Sequence, residues 1–272
     1  MAVVNPLAPP RPVRWIIAVV VGLAFVVPFA ATAFFTLTPL PGGSGLSFDR
    51  WAGVFDPASA AKYRPIWTGL GNSLILAAVT VALVLGLFTP TLVLVALAFP
   101  RLRRVFEFVA LLPISVPAIV LVVGLTPIYL QIGRTLGTGA WTLAFAYGIL
   151  VLPFAYRSIQ ASIDAIDLAT LSEAARTLGA GWGSVLLRVI VPNLRQGLLS
   201  AALISVAVVL GEFTIASLLN RQTLQTALVV VNKQDGYVAA IFTLLALAFA
   251  FVLLLIIGRV GRIGAGSGKK TS

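Results

Sequence analysis

Six apolar stretches divide this chain, at 15–37, 70–99, 106–128, 141–155, 197–219 and 237–257. A helix rises 1.5 Å per residue, so about 20 apolar residues cross the hydrocarbon core of a bilayer. Five of the runs reach that length, and the fourth reaches it by extending into its flanks. Inside a bilayer every backbone N–H and C=O must be satisfied within the segment, which leaves helices or a closed barrel. Runs this long and continuously apolar carry no strand alternation. The expected fold is therefore an all-α membrane protein of about six transmembrane helices. Composition agrees: 10% of the residues are charged and mean hydropathy is +1.06. A soluble domain carries about 25% charge.

The segments between the runs set the topology. Residues 1–14 are Pro-rich, with Arg11 and Arg14, and read as a disordered tail. Ala31-Thr32-Ala33 resembles a signal-peptidase site, but the first run is long enough to span. The stretch 38–67 holds prolines, glycines and charges. It suits an external loop with an amphipathic helix over 48–55 and with Trp51 and Trp67 as interfacial anchors. Pro113 and Pro117 break the third run, and Gly86 with Thr89-Pro90 marks a kink in the second. Six spans put both termini on one side. Thirteen of the 19 basic residues fall on that side, together with the long polar stretch 157–195. The positive-inside bias makes it cytoplasmic. The organisation expected is a tail at 1–14, a membrane domain at 15–258 and a basic tail at 259–272, in the cytoplasmic (inner) membrane.

Several chemistries are excluded. The chain has no Cys, no His and eight carboxylates. That removes thiolate metal sites, Cys nucleophiles and Ser-His-Asp triads. No catalytic residue and no metal site is expected. The net charge of +11 sits in short clusters between spans, without an aromatic-interleaved basic face, so no nucleic-acid partner is implied. Gly-Ser-Gly-Lys-Lys at 266–270 fails as a phosphate loop: Ile263 stands at the first glycine position and Lys270 where Ser or Thr would hold magnesium. A basic tail beside anionic lipid is the better reading.

The stretch 157–195 carries the most information. Asp167 can cap a helix start, and Gly179 can supply the left-handed turn that ends it. Leu171, Ala174, Ala175 and Leu178 recur at helical spacing and form one expected apolar face. A second helix over 182–190 is expected to stop at Pro192. Ala174 and Ala175 would let another surface approach closely. A helix resting on the bilayer surface fits the same pattern.

Glu173-Ala174-Ala175, then Gly179 after three residues and Pro192 after nine more positions and Val-Ile-Val, resembles the EAA loop of ABC-importer permeases. Val189 and Val191 stand where Ile and Leu are usual. Asn72-Ser73-Leu74 and Leu112-Pro113 with Ser115-Val116-Pro117-Ala118 extend the likeness, which covers about 72–254. The resemblance implies a type I ABC importer permease bundle (MetI-like): five core spans, one peripheral N-terminal span and a cytoplasmic coupling helix. It implies that Glu173 and Arg176 make polar contacts with an ATPase subunit, that Ala174 and Ala175 allow close packing, and that Gly179 and Pro192 shape the loop. ATP and magnesium would be held by that partner, so no cofactor is expected here. It also implies a second permease subunit, expected to be non-identical, and an extracytoplasmic substrate-binding protein. The branch it most resembles handles polyamines, aminoalkylphosphonates, sulfate and ferric ion, and a polyamine or aminoalkylphosphonate is the expected substrate.

Glu212, in Gly211-Glu212-Phe213, is a carboxylate placed deep in a span. Such a charge lines a pathway or gate, or bonds to a neighbouring helix. A secondary transporter would need its own coupling-ion site, which one membrane Glu without an inverted repeat does not supply. A structural membrane protein is opposed by the EAA spacing alone.

Overall fold

The computed structural model describes residues 10–40 and 44–266, and all regular structure among them is helical. Five helical segments are long and apolar enough to cross a membrane: Pro12–Thr36, Pro57–Ala98, Ala118–Thr135, Ala140–Asp164 and Gly236–Arg259. The pair Trp182–Asn193 and Arg195–Gly211, bent by 78°, passes the same test only when its two arms are taken together. The expected tails at 1–14 and 259–272 lie in large part outside the described residues; where they are described, 11–14 and 259–266 continue the neighbouring helices.

The chain divides into two compact units, Met1–Lys62 with Val230–Leu247, and Tyr63–Val229 with Ala248–Ser272. In the first, helix α1 (Arg11–Thr36) exposes the whole of its membrane-length apolar window. A short helix α2 (Asp49–Phe55) takes the place of the expected amphipathic helix. The Arg50 guanidinium lies 3.7 Å from the centroid of Tyr237, which stacks on Phe35 at 4.4 Å. Arg50 also donates to the carbonyls of Thr38 (2.8 Å) and Pro39 (3.2 Å). Trp51 donates its indole N–H to the buried Thr36 hydroxyl at 3.1 Å.

In the second unit, α3 (Ala60–Leu83) runs through a π-turn, Val84–Phe88, into α4 (Thr89–Ala98). Pro90 lacks an N–H, and one register slip accommodates it: Thr89 N–H bonds Val84 O, five residues back. The distortion expected from Gly86 to Pro90 is thus a π-turn. The third run is not one helix. It is α5 (Arg103–Leu111), a 3₁₀ turn at Leu112–Ser115, and α6 (Ala118–Thr135). Val116 is extended, as a residue before proline is driven to be.

Helix α7 (Ala144–Asp164) is the central element, and its most extensive neighbour is α11 (Arg195–Gly211). Two apolar clusters lie along α7, one built on Val151, Ala155 and Ile159, the other on Ala144, Ala146 and Tyr147. At the start of α7 the Tyr129 hydroxyl accepts from Ala146 N–H (3.0 Å) and donates to Thr142 O (3.1 Å). It thereby bridges a helical bond interrupted where a 3₁₀ turn meets the α-helix. Between α7 and α11 lie α8 (Leu168–Thr177), α9 (Trp182–Ser184), a π-turn at Val185–Ile190 and α10 (Val191–Asn193). After α11 come α12 (Thr214–Leu218), α13 (Leu224–Gln234) and α14 (Gly236–Gly266).

Candidate coupling loop and helix break

Asp167 caps α8 as expected. Its carboxylate accepts from the Thr170 N–H at 3.1 Å and the Thr170 hydroxyl at 2.7 Å. The hydroxyl bond, followed by the backbone bonds, holds the Asp167 carboxyl below its ordinary range. A depressed pKa means the cap stabilises the helix fully above the unfolded value, and that this stabilisation is lost as pH falls through the folded value. Protection of the Thr170 amide, taken against the intrinsic exchange rate at each pH, should therefore be constant near neutral pH and fall only below about 3.8. Loss of protection already at higher pH would show that the cap does not govern this end.

Gly179 ends α8 with φ +84°. Gly179 N–H bonds Arg176 O (2.9 Å) and Ala180 N–H bonds Ala175 O (3.1 Å), the paired bonds of a Schellman turn. Gly183 sits inside the next helix with open space around it.

The expected apolar face of α8 is divided between its inner and outer sides. Leu168 and Ser172 are buried, with Leu171 and Ala175 half-buried beside them. Ala174 and Leu178 face outward, and Leu178 is 89% exposed. The register shifts by one step because Ser172 can go inside: its hydroxyl donates to Leu168 O at 2.7 Å. Glu173, Ala174, Arg176 and Leu178 therefore share one outer surface, and the Arg176 guanidinium stands 5.1 Å over the Trp182 ring. Pro192 does not stop the second helix, which continues to Asn193. The π-turn closes with Val191 N–H on Leu186 O, and Pro192 follows at the start of α10, where a missing N–H is tolerated. The chain turns at Leu194, between the two arms of the 78° bend.

The fifth run also ends early, because α11 stops at Gly211. Glu212 is extended, and its carboxylate accepts from the Tyr147 hydroxyl at 2.8 Å and from the Ile215 N–H at 3.0 Å to each oxygen. The Gln225 amide donates to Leu210 O at 2.8 Å. The break thus finds partners for groups that lipid could not satisfy. Gly211 and Phe213 flank it with exposed surface. Asn220, at φ +52°, repeats the Schellman geometry after α12: its N–H bonds Ser217 O and Arg221 N–H bonds Ala216 O.

Residues 93–261 match the family described as binding-protein-dependent transport system inner membrane component, over more than half of the chain. The chain belongs to that family. Its match includes α8, the Gly179 turn and the Glu212 break. The permease is also 25% identical over 274 residues to a curated Sinorhizobium fredii protein named "Probable ABC transporter permease protein y4fN". That match covers 95% of the permease and 47% of the relative, so the chain spans about half the length of the curated relative it matches.

Asn72 and Ser73, which extend the family likeness in the sequence, bind the turn before α13. Asn72 donates to Gln222 O at 2.9 Å, Ser73 Oγ accepts from Leu224 N–H at 2.9 Å, and Gln222 returns a bond to Pro65 O at 3.0 Å. They fasten α3 to the turn before α13, closely enough that a Cβ on Gly69 would meet Thr223 O at 2.6 Å. Among the described residues no three or more acidic side chains gather as a metal site would require.

Proposed function

We propose that the permease is the membrane subunit of an ATP-driven importer and that α8 is its coupling helix. The observation that carries this reading is the outer surface of α8. Glu173, Ala174, Arg176 and Leu178 are presented together outside any span, on a helix fixed at both ends by Asp167 and Gly179. Leu178, 89% exposed, and the exposed Ala174 beside it leave an apolar, small-residue surface on which another protein could pack closely. The cover proposed is a cleft of a separate ATPase subunit, which binds ATP and magnesium.

Mechanically, α8 packs on the segment Val185–Ile190 through the cluster that also holds Val151 and Ile159 of α7. A push on α8 therefore reaches α7 and α11 through packed side chains rather than through a flexible loop. Closure of the ATPase would favour one arrangement of these helices and release the other, as alternating access requires. Gly211, Glu212 and Phe213 are proposed to form the pathway or its gate, with Glu212 holding the break and its neighbours facing outward. An ATPase dimer offers two docking clefts, so a second permease unit, proposed to be non-identical, completes the assembly. More than half of the curated relative lies outside the match, which is room for a second unit of this size. An extracytoplasmic binding protein would deliver a small organic solute, such as a polyamine or an aminoalkylphosphonate. The Glu212 carboxylate is engaged by Tyr147 and Ile215, so it gives no preference for the cation. Both termini are proposed to be cytoplasmic, in the inner membrane.

Gly179→Val tests the coupling helix. A β-branched residue at this φ costs at least about 1–2 kcal/mol and reshapes the turn. The variant is expected to reach the membrane in normal amount, to lose most co-purifying ATPase and to transport at a tenth of the wild-type rate or less. Unchanged transport and unchanged ATPase recovery would defeat the reading.

A further inference from the structure

Helix α5 presents a surface that the transport reading does not use. Phe106, Ala110 and Leu111 pack into the cluster around α7, and Phe106 meets the Tyr156 ring at 6.4 Å between centroids. Arg103 is drawn to the same side, where it donates to Asp164 at 2.7 Å. The remaining apolar residues, Val105, Phe108, Val109 and Leu112, recur at i, i+3, i+4 and i+7 and are all exposed, Phe108 at 68%. Arg101 and Arg104 are exposed too, at the N-terminal end of that stripe, with no ion pair among the described residues. Glu107, four residues after Arg103 and three after Arg104, pairs with neither among the described residues.

Length fixes the depth of this surface. Helix α6 has 18 residues and rises about 27 Å, nearly the whole hydrocarbon thickness of about 30 Å. With α6 filling the hydrocarbon, the helical stretch before it, from Pro100 through Ser115, has no further hydrocarbon to cross and reaches the headgroup layer at its Ser115 end. An apolar stripe that ends in arginines is the pattern of a helix with its carbon face in acyl chains and its cations among headgroups.

We propose that Arg101 and Arg104 form a binding site for the headgroups of anionic phospholipids, seated by the stripe from Val105 to Leu112. Charge complementarity selects the ligand: two exposed guanidiniums in no ion pair among the described residues meet phosphate as bidentate donors. The Arg103–Asp164 bridge ties this segment to the end of α7, three residues before Asp167. A lipid held here would steady the membrane-side root of α8.

The test uses the permease purified with whatever subunits accompany it and reconstituted in nanodiscs of equal phosphatidylglycerol and phosphatidylcholine. Retained lipid is read by native mass spectrometry after mild delipidation. Wild type should retain phosphatidylglycerol preferentially, and added salt should reduce the preference. Arg101→Gln with Arg104→Gln should lower it by roughly five-fold per arginine. Arg134→Gln, in the last turn of α6, should leave it unchanged. Should the double variant fold poorly, the single substitutions and the salt series in wild type give the same readout. Equal retention of the two lipids by wild type overturns the site, as does an unchanged preference in the double variant or an equal loss in Arg134→Gln. Loss of a co-purifying protein with the lipid preference intact would assign the surface to that protein instead.

Discussion

Gly197→Ala, a single added methyl group, is expected to deplete the protein from membranes. A Cβ at Gly197 would stand 2.5 Å from the Ser158 carbonyl oxygen and press on the Ser162 hydroxyl as well. The hydroxyl can rotate away, but the carbonyl belongs to the backbone of α7 and cannot. The α7–α11 pair would have to part by several tenths of an ångström at its tightest point. This pair is the largest helix contact in the chain, and Gly197 lies just past the turn at Leu194. Overpacking of this kind costs about 1–3 kcal/mol for a small group and more for a branched one. In a membrane the loss is not recovered by other means, since close approach of small residues supplies much of helix association there. Gly197→Val should leave little protein, and Gly197→Ala should lower the thermal midpoint in detergent by several degrees. Gly71→Ala is the control, because a Cβ there meets nothing within 4 Å and alanine favours the helix. Equal midpoints for Gly197→Ala and wild type would show that the crossing is looser than the structure has it.

The crossing also marks where sequence reading ends. The spans are legible because length and hydropathy are properties of one segment, and the cap at Asp167 and turn at Gly179 because they are local chemistry. Gly197, Ser158 and Ser162 carry no such signal: small residues recur along the whole chain, and only the meeting of two helices gives these three their role. Which side of α8 packs inward is not legible for a related reason. Leu168, Leu171, Ser172 and Ala175 satisfy helical spacing as well as Leu171, Ala174, Ala175 and Leu178 do. Periodicity alone cannot choose between them when the deciding residue is a serine that satisfies its own hydroxyl. Pro113 and Pro117 signal a break, but that α5 ends in its own interfacial face follows only from what α7 covers. Tyr129, Tyr147 and Gln225 carry no sequence signal because each serves a group on another segment, a backbone group for Tyr129 and Gln225 and the Glu212 carboxylate for Tyr147.

Glu212 separates a structural role from a pathway role by the pattern of its variants. Glu212→Ala removes the acceptor of the Tyr147 hydroxyl and of the Ile215 N–H together. A buried donor left without an acceptor costs about 1–3 kcal/mol, and here there are two. Tyr147 is fully buried, so water does not readily replace the lost carboxylate. Glu212→Ala should therefore unfold at markedly lower temperature and transport little. Glu212→Gln keeps a carbonyl oxygen where one carboxylate oxygen stood, so it should recover most of the stability. Tyr147→Phe removes one donor and leaves the bond to Ile215, which places it between the two. If Glu212 acts by holding the break, transport should follow stability through this series, and Glu212→Gln should move substrate within a few-fold of wild type. If the charge itself acts on the substrate, Glu212→Gln would be as stable as wild type and inactive. That second pattern would move the carboxylate from the wall of the helix break into the path of the solute.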